Sequence, residues 1–184
     1  PFSGWQRQEG QHTVQAVLEA ALAMLDPAAP TVAGAGRTDR GVHATGQVAH
    51  ADLTRDWEPF RLTEALNFHL RPAPVAVLAV AAVGEDFHAR FSALERSYTY
   101  RFLCRRPHAV LDAGRVWRVG RGLDIGLMRE GASHLVGRHD FTAFRASPSQ
   151  AKSPVRTVDA ISFEELPGPG ATEIRMHVRA RSFQ

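Results

Sequence analysis

Cysteine is almost absent. Cys104 stands alone in 184 residues, which excludes an intrachain disulfide framework and suits a reducing cytosol. Lysine is as scarce: Lys152 is the single one among 22 Lys and Arg residues. No apolar run approaches the ~20 residues of a membrane span. Pro1-Phe2-Ser3-Gly4-Trp5 lacks the basic and apolar regions of a signal peptide, so a cytoplasmic location is expected. Gly34-x-Gly36 invites a dinucleotide reading, but Asp39 occupies the third glycine position, where a carboxylate repels a pyrophosphate. No Gly-Lys-Ser/Thr follows, which removes a phosphate-cradling P-loop, and no Gly-x-Ser-x-Gly elbow marks a hydrolase. His43, His88 and His139 do not fall at metal-ligand spacings, and Cys104 has no partner thiol. They read as packing or surface-contact histidines and not as metal ligands.

At 20.2 kDa and 44% hydrophobic residues, the chain is long enough for one domain, or for two small ones around a real core. The net charge is only +3, yet the isoelectric point is near 9.7, and the positive charge is almost all arginine. Guanidinium is the better fork for phosphate and the better stacker on bases. GC-rich coding gives the same bias, so composition permits nucleic-acid binding without demonstrating it.

The densest chemistry lies in Gly34-Ala35-Gly36-Arg37-Thr38-Asp39-Arg40-Gly41-Val42-His43-Ala44. Three glycines in so short a run predict a tight loop between an apolar lead-in, Thr31-Val32-Ala33, and an extended exit over residues 47–51. Asp39 lies between two guanidinium groups. Such a carboxylate acts as a nucleophile, as a base, or as one half of a salt bridge in a turn, and the loop alone leaves these open.

The remaining chain alternates helices and strands. Val14, Val17, Leu18, Ala21, Leu22 and Leu25 form one helical face, opened by Thr13 and closed before Pro27. Pro59 starts a second helix with Leu62, Ala65, Leu66 and Leu70 as its stripe. Val75, Val77, Ala79, Ala81 and Val83 alternate as a strand. So does 96–104, with Tyr98, Tyr100, Phe102 and Cys104 on one face. A short strand is expected at 115–119, then a helix capped by Asp124 and ended by Gly137. A polar loop spans 147–154, and a hairpin closes the chain, with strands over 157–165 and 172–181 around Pro167-Gly168-Pro169-Gly170. This order predicts an α+β fold.

Several segments together resemble the TruA family of tRNA pseudouridine synthases. Gly36-Arg37-Thr38-Asp39-Arg40-Gly41-Val42-His43-Ala44 is similar to its active-site signature. In the family's order come Phe2-Ser3-Gly4-Trp5-Gln6-Arg7-Gln8, Phe87-His88-Ala89-Arg90-Phe91-Ser92-Ala93, Arg96-x-Tyr98-x-Tyr100, Gly137-x-His139-Asp140-Phe141-Thr142-Ala143-Phe144 and Ser153-Pro154-Val155-Arg156-Thr157. The resemblance implies two ferredoxin-like halves sharing a mostly antiparallel sheet with helices on one face. Residues 1–93 are then the catalytic half and 94–184 the half that completes an RNA-binding cleft. It implies isomerisation of uridine to pseudouridine at positions 38, 39 and 40 of the tRNA anticodon stem-loop, by a homodimer needing neither metal nor cofactor.

On that resemblance Asp39 is the catalytic aspartate and Arg37 helps displace the target base. Arg40 holds phosphate or pairs with a carboxylate, and Tyr98 stacks on the flipped uracil. Arg90, Arg145, Lys152 and Arg156 are candidates for RNA phosphate contact, each equally readable as a solvated surface charge. Family members usually have a strand before Gly4, and they continue past Gln184 into a helix whose arginine pairs with the aspartate. A chain ending at Gln184 is therefore expected to have little or no synthase activity.

The alternative is a non-catalytic RNA-binding module that uses a ferredoxin-like sheet and the Tyr98 strand. No RNA-recognition-motif signature supports it. An acid/base hydrolase lacks a second carboxylate poised beside Asp39.

Overall fold

The computed structural model describes residues 2–144 and 153–183. The chain divides into two compact units, Pro1–Ala93 and Leu94–Gln184.

In the first unit, α1 (Val14–Ala23) opens on Thr13, whose hydroxyl accepts from the Ala16 amide. Capping of this kind satisfies a donor that the first helical turn leaves free. β1 (Ala33–Gly34) and β2 (Ala49–His50) pair antiparallel. α2 (Pro59–Leu70) begins at the proline, and Glu58 caps it by accepting from the Phe60 and Arg61 amides. The core joins Trp5, Ala21, Leu22, Val32, Leu62, Leu66 and Leu70.

The expected strand over 75–83 is not a strand: these residues belong to no sheet. Their alternation is nonetheless used, since Val75 and Val77 pack on the core. The Asn67 side chain stands in for a neighbouring strand there, donating to the Val77 carbonyl and accepting from its amide, both at 2.8 Å. Periodicity describes which side chains are buried, whereas a strand also needs a partner for its ladder.

The second unit is built on a four-stranded sheet. β3 (Arg96–Cys104) pairs in parallel with β4 (Trp117–Val119). α3 (Ile125–Ser133) is capped by Asp124 and ends before Gly137, which instead begins β5 (Gly137–Asp140). Gly137 takes φ +105°, a backbone conformation glycine adopts freely. β5 pairs with β6 (Val155–Val158). β7 (Ala160–Gly168) and β8 (Ala171–Ala180) form the closing hairpin, and the large sheet runs β4-β3-β8-β7. The expected strand over 157–165 is therefore two strands. The chain changes partner at Asp159, whose amide donates to Arg179. The hairpin turn is shorter than expected: only Pro169 and Gly170, at φ +67°, separate the paired Gly168 and Ala171.

The architecture is α+β, as the order of elements implied, and every strand pair except β3–β4 is antiparallel. Among the described residues no helix is long and apolar enough to cross a membrane.

Register sets the two faces of the large sheet. Tyr98 lies opposite Val178, Tyr100 opposite Met176 and Phe102 opposite Ile174. Phe102, Ile174 and Ala180 are buried. On the alternate positions Arg101 and Arg175 are paired directly, which sets like charges side by side. Glu173 resolves this by bridging both. It takes a two-pronged bond from Arg101, 2.8 Å at each oxygen, and a 2.7 Å bond from the Arg175 Nε. The Arg101 bonds, with those from Arg175, hold the Glu173 carboxyl down to about 2 against the opposing effect of burial.

A carboxyl held below its unfolded value contributes stability that is complete above about pH 4.5 and is lost as pH falls towards 2. Acid titration of the melting temperature should show this loss for the native chain. The loss should be smaller in Glu173→Gln, which is also less stable at neutral pH; equal acid sensitivity of the two proteins would contradict it.

Candidate active site

The loop bearing Asp39 is clamped from both sides. Pairing of Ala33 with His50 and Gly34 with Ala49 is extended by a 2.8 Å bond from the Ala35 amide to the Val48 carbonyl. The Gln47 side chain then donates to the Gly36 carbonyl at 2.8 Å and accepts from the Gly36 amide at 3.3 Å. On the other flank the Trp5 amide donates to the Thr38 carbonyl at 2.9 Å, and Gly4 bridges Asp39 in antiparallel fashion. Gly4 sits at φ +127°, where a Cβ would lie 3.0 Å from the Thr38 carbonyl oxygen, so a side chain there is both strained and crowded. Within the loop the Val42 amide donates to the Asp39 carbonyl at 3.2 Å, and Gly41 takes φ +84°.

Gly4 and Trp5 are held by the first turn of α1, where the Val14 and Gln15 backbone amides donate to their carbonyls at 3.2 and 3.1 Å, and a polar edge of the same helix anchors the residues that follow them. Helical periodicity places Val14, Val17 and Leu18 inward. They do pack on the core, but among the helix's fully buried residues are Gln15 and Glu19, one turn apart. Glu19 accepts from the Arg7 guanidinium at 2.7 Å, the Gln15 amide at 2.9 Å and the Val32 backbone amide at 3.1 Å. Gln15 in turn accepts from the Arg7 amide and the Gln6 side chain. Burial alone pushes the Glu19 carboxyl up. Its bonds from Arg7, Val32 and Gln15 outweigh that and hold it below the usual carboxylate range. Neither residue stands out in the sequence, because a polar residue beside an apolar helical stripe looks like the start of the wet face. The signal available was their i, i+4 spacing.

Asp39 is exposed, as are Arg37 and Arg40. Among the described residues no ion pair joins Asp39 to either arginine, which corrects the salt-bridge reading of this loop. Its shape comes from backbone bonds, and the carboxylate is left open to a ligand.

Arg37 and Arg90, distant in sequence, line one pocket of about 330 Å³ in the first unit. His88 shares that pocket, and His43 is exposed on the Asp39 loop.

In the second unit Tyr98 is half-buried on the apolar face of β3, with the Phe183 ring edge-on at 4.9 Å and 84°. Arg156 on β6 lines a second pocket, of about 420 Å³, together with Arg138, Arg181 and Asp159. Its guanidinium donates to the Ser153 and Val155 carbonyls, and its Nε is buried without a partner among the described residues. His139 contacts the Val136 carbonyl at 2.9 Å. Arg145 and Lys152 lie outside the described residues.

A family model described as tRNA pseudouridine synthase matches residues 2–92 and 132–184, the whole Asp39 loop included. The chain belongs to that family. It is 65% identical over 183 residues to the tRNA pseudouridine synthase A of Dinoroseobacter shibae, a match covering all of this chain and 71% of that protein. Identity to the tRNA pseudouridine synthase A of Cereibacter sphaeroides is 61%, covering 72% of that protein. With the enzyme of that name from Paracoccus denitrificans it is 58%, over 71% of that protein's length. Tyr98 falls in the stretch between the two matched segments of the family model, but within the span shared with these relatives. In this chain the matched Gly4-Trp5 segment and the Asp39 loop meet in space although Trp5 and Asp39 are 34 positions apart in sequence.

The indole of Trp5 also fixes the loop's root. A Cβ placed on Gly34 would lie 2.5–2.7 Å from three of its ring atoms, far inside contact distance. Gly34→Ala should displace Trp5 and lower stability by about 1–3 kcal/mol, the usual range for overpacking. The check is a urea melt with Trp emission, in which the variant shows a lower midpoint and a red-shifted native spectrum; an unshifted midpoint would show that the indole moves aside freely.

Proposed function

We propose that this chain converts uridine to pseudouridine at positions 38, 39 and 40 of the anticodon stem-loop of tRNA, with Asp39 as its nucleophile. The observation that carries this reading is the exposed Asp39 carboxylate, in no ion pair among the described residues, on a backbone-clamped loop inside the matched family segment. The reaction breaks the bond between ribose C1′ and uracil N1 and makes one between C1′ and C5. The proton lost from C5 is balanced by one gained at N1, so the product is an isomer. Asp39 serves this chemistry by attacking the anomeric carbon, by adding to the ring, or by triggering elimination at the ribose. A stacked uridine is out of its reach, so the target is flipped from the stem. Arg37 assists that displacement, Arg40 holds backbone charge, and Tyr98 stacks on the freed uracil. Arg90, Arg145, Lys152 and Arg156 contact phosphates. The first unit is the catalytic half, the second completes the cleft, and the working form is a cytoplasmic homodimer.

Incubating the protein, in excess over labelled, unmodified tRNA because a chain ending at Gln184 is expected to turn over slowly, and analysing the digest tests the whole reading; tRNA binding without pseudouridine would favour a binding module instead. Asp39→Asn keeps the shape and removes the attacking charge. Turnover should fall below detection while tRNA affinity stays within a few fold, because affinity rests on many phosphate contacts. Pseudouridine formation at a near wild-type rate by that variant would sink the assignment.

Tyr98→Leu removes a stack worth roughly 1–3 kcal/mol along with the hydroxyl, and turnover should drop steeply. Tyr98→Phe keeps the stack and isolates the hydroxyl. If Tyr98→Leu turns over as fast as the parent, Tyr98 is only part of the sheet's apolar face.

A further inference from the structure

Beside the Asp39 loop, the pocket of about 330 Å³ is lined by Gln6, Arg37, His88, Arg90 and Phe91, with the buried Trp5 in its wall. Its volume is at the low end of the about 300–1,000 Å³ of small-molecule pockets. Asp39 is not among its lining residues, so it is a different place from the catalytic carboxylate.

Three features define what it takes. The first is a flat ring held in water. Phe91 is 74% exposed. Its ring lies 4.4 Å from that of His88, at 37°, and His88 lies 4.5 Å from His50. The turn beneath is tied internally: the His88 amide donates to the Ser92 hydroxyl at 3.0 Å, and the Ser92 amide to the His88 carbonyl at 2.8 Å. The Ala89 amide donates to the His50 Nδ1 at 3.2 Å, which fastens the turn to β2. An aromatic surface already fixed loses little freedom when something stacks on it.

The second feature is charge. Arg37 and Arg90 line the pocket and no carboxylate does. The third is a spare acceptor: the Gln6 side-chain Nε2 donates to the Gln15 side-chain Oε1 at 2.9 Å, which leaves the Gln6 Oε1 to accept an N–H from a base edge. A stacking face, two guanidinium groups and an amide acceptor together are the chemistry of a nucleotide site.

We infer that this pocket receives a second, unpaired nucleotide of the RNA, its base stacked on Phe91 and its phosphate held by Arg37 and Arg90, while the target uridine goes to Asp39. The inference rests on the tRNA reading above and extends it. Capturing one base beside the catalytic loop sets the register of the RNA and adds affinity, without touching the reacting atoms. Its loss therefore acts on KM and on binding, not on kcat.

The test compares the 184-residue chain with Phe91→Ala and Phe91→Trp. Affinity for unmodified tRNA is measured by fluorescence anisotropy over a range of salt, and pseudouridine is measured in the digest. Phe91→Ala should weaken tRNA binding roughly five- to hundredfold, the loss of one base–aromatic stack. KM should rise in step and kcat should hold. The salt slope should stay that of the parent, because no phosphate contact is removed. Phe91→Trp should restore affinity, and its added indole should be quenched by tRNA. Phe91 is exposed, so the melting temperatures of the three proteins should agree. Unchanged affinity in Phe91→Ala, or a loss that appears only in kcat, overturns the proposal. The two readings fail separately. A parent protein that binds tRNA Phe91-dependently yet makes no pseudouridine refutes the synthase reading and leaves the nucleotide pocket standing. A parent that makes pseudouridine, with binding indifferent to Phe91, refutes the pocket alone.

Discussion

Glu19 is a carboxylate taken out of water, and the geometry around Asp39 follows from how it is satisfied. A buried charge is tolerated only when its acceptor sites are filled, and here the donors come from three separate stretches: Arg7, Gln15 and the Val32 backbone amide. Meeting that demand fastens the segment after Trp5 to α1 and to the chain leading into β1. Trp5 then reaches the Thr38 carbonyl and packs its indole on Gly34. The Asp39 loop is thus held through its backbone from outside, and its Arg37, Asp39 and Arg40 side chains stay exposed. A loop held by its own Asp39–Arg contacts would have spent the carboxylate on structure.

The second unit solves a related problem on a sheet. Arg101 and Arg175 face one another across β3 and β8, an arrangement that destabilises unless something intervenes. Glu173 lies diagonally between them and joins both, while Asp112 adds a 3.3 Å contact to Arg101. The Arg101–Glu173–Arg175 charges stay on one face of the sheet, and Phe102, Ile174 and Ala180 are buried on the other. Tyr98 takes its orientation from this alternation. Its place in the strand puts the phenol on the apolar face beside Phe183, a surface on which a flat ring can lie.

Much of this was legible in the residues. The Thr13 and Asp124 caps, the Pro59 helix start, the span of β3 and the face shared by Tyr98, Tyr100 and Phe102 all follow from local rules. What failed, failed where a rule depends on a partner distant in sequence. Residues 75–83 have a strand's pattern but no ladder, and one expected strand divides at Asp159 because its two ends pair with different neighbours. In the site, Asp39, Arg37 and Arg90 stood out through a family signature. Phe91 lies in the same signature segment as Arg90 but was given no role, and Gln15 and Glu19 lie in none, since an amide, a carboxylate and a phenylalanine are ordinary until their surroundings are known.

The sequence by itself determined the α+β class, the family and the Asp39 loop that carries its signature, because glycine spacing, capping residues and a contiguous signature act over a few residues. Tertiary structure alone decided that Asp39 is left unpaired by its neighbouring arginines, that α1 buries a polar edge to brace the loop, and that Phe91 stands exposed in a pocket with Arg37. Each of these depends on which distant groups meet, and hydrogen bonds and burial are settled by that meeting rather than by the residues taken one at a time.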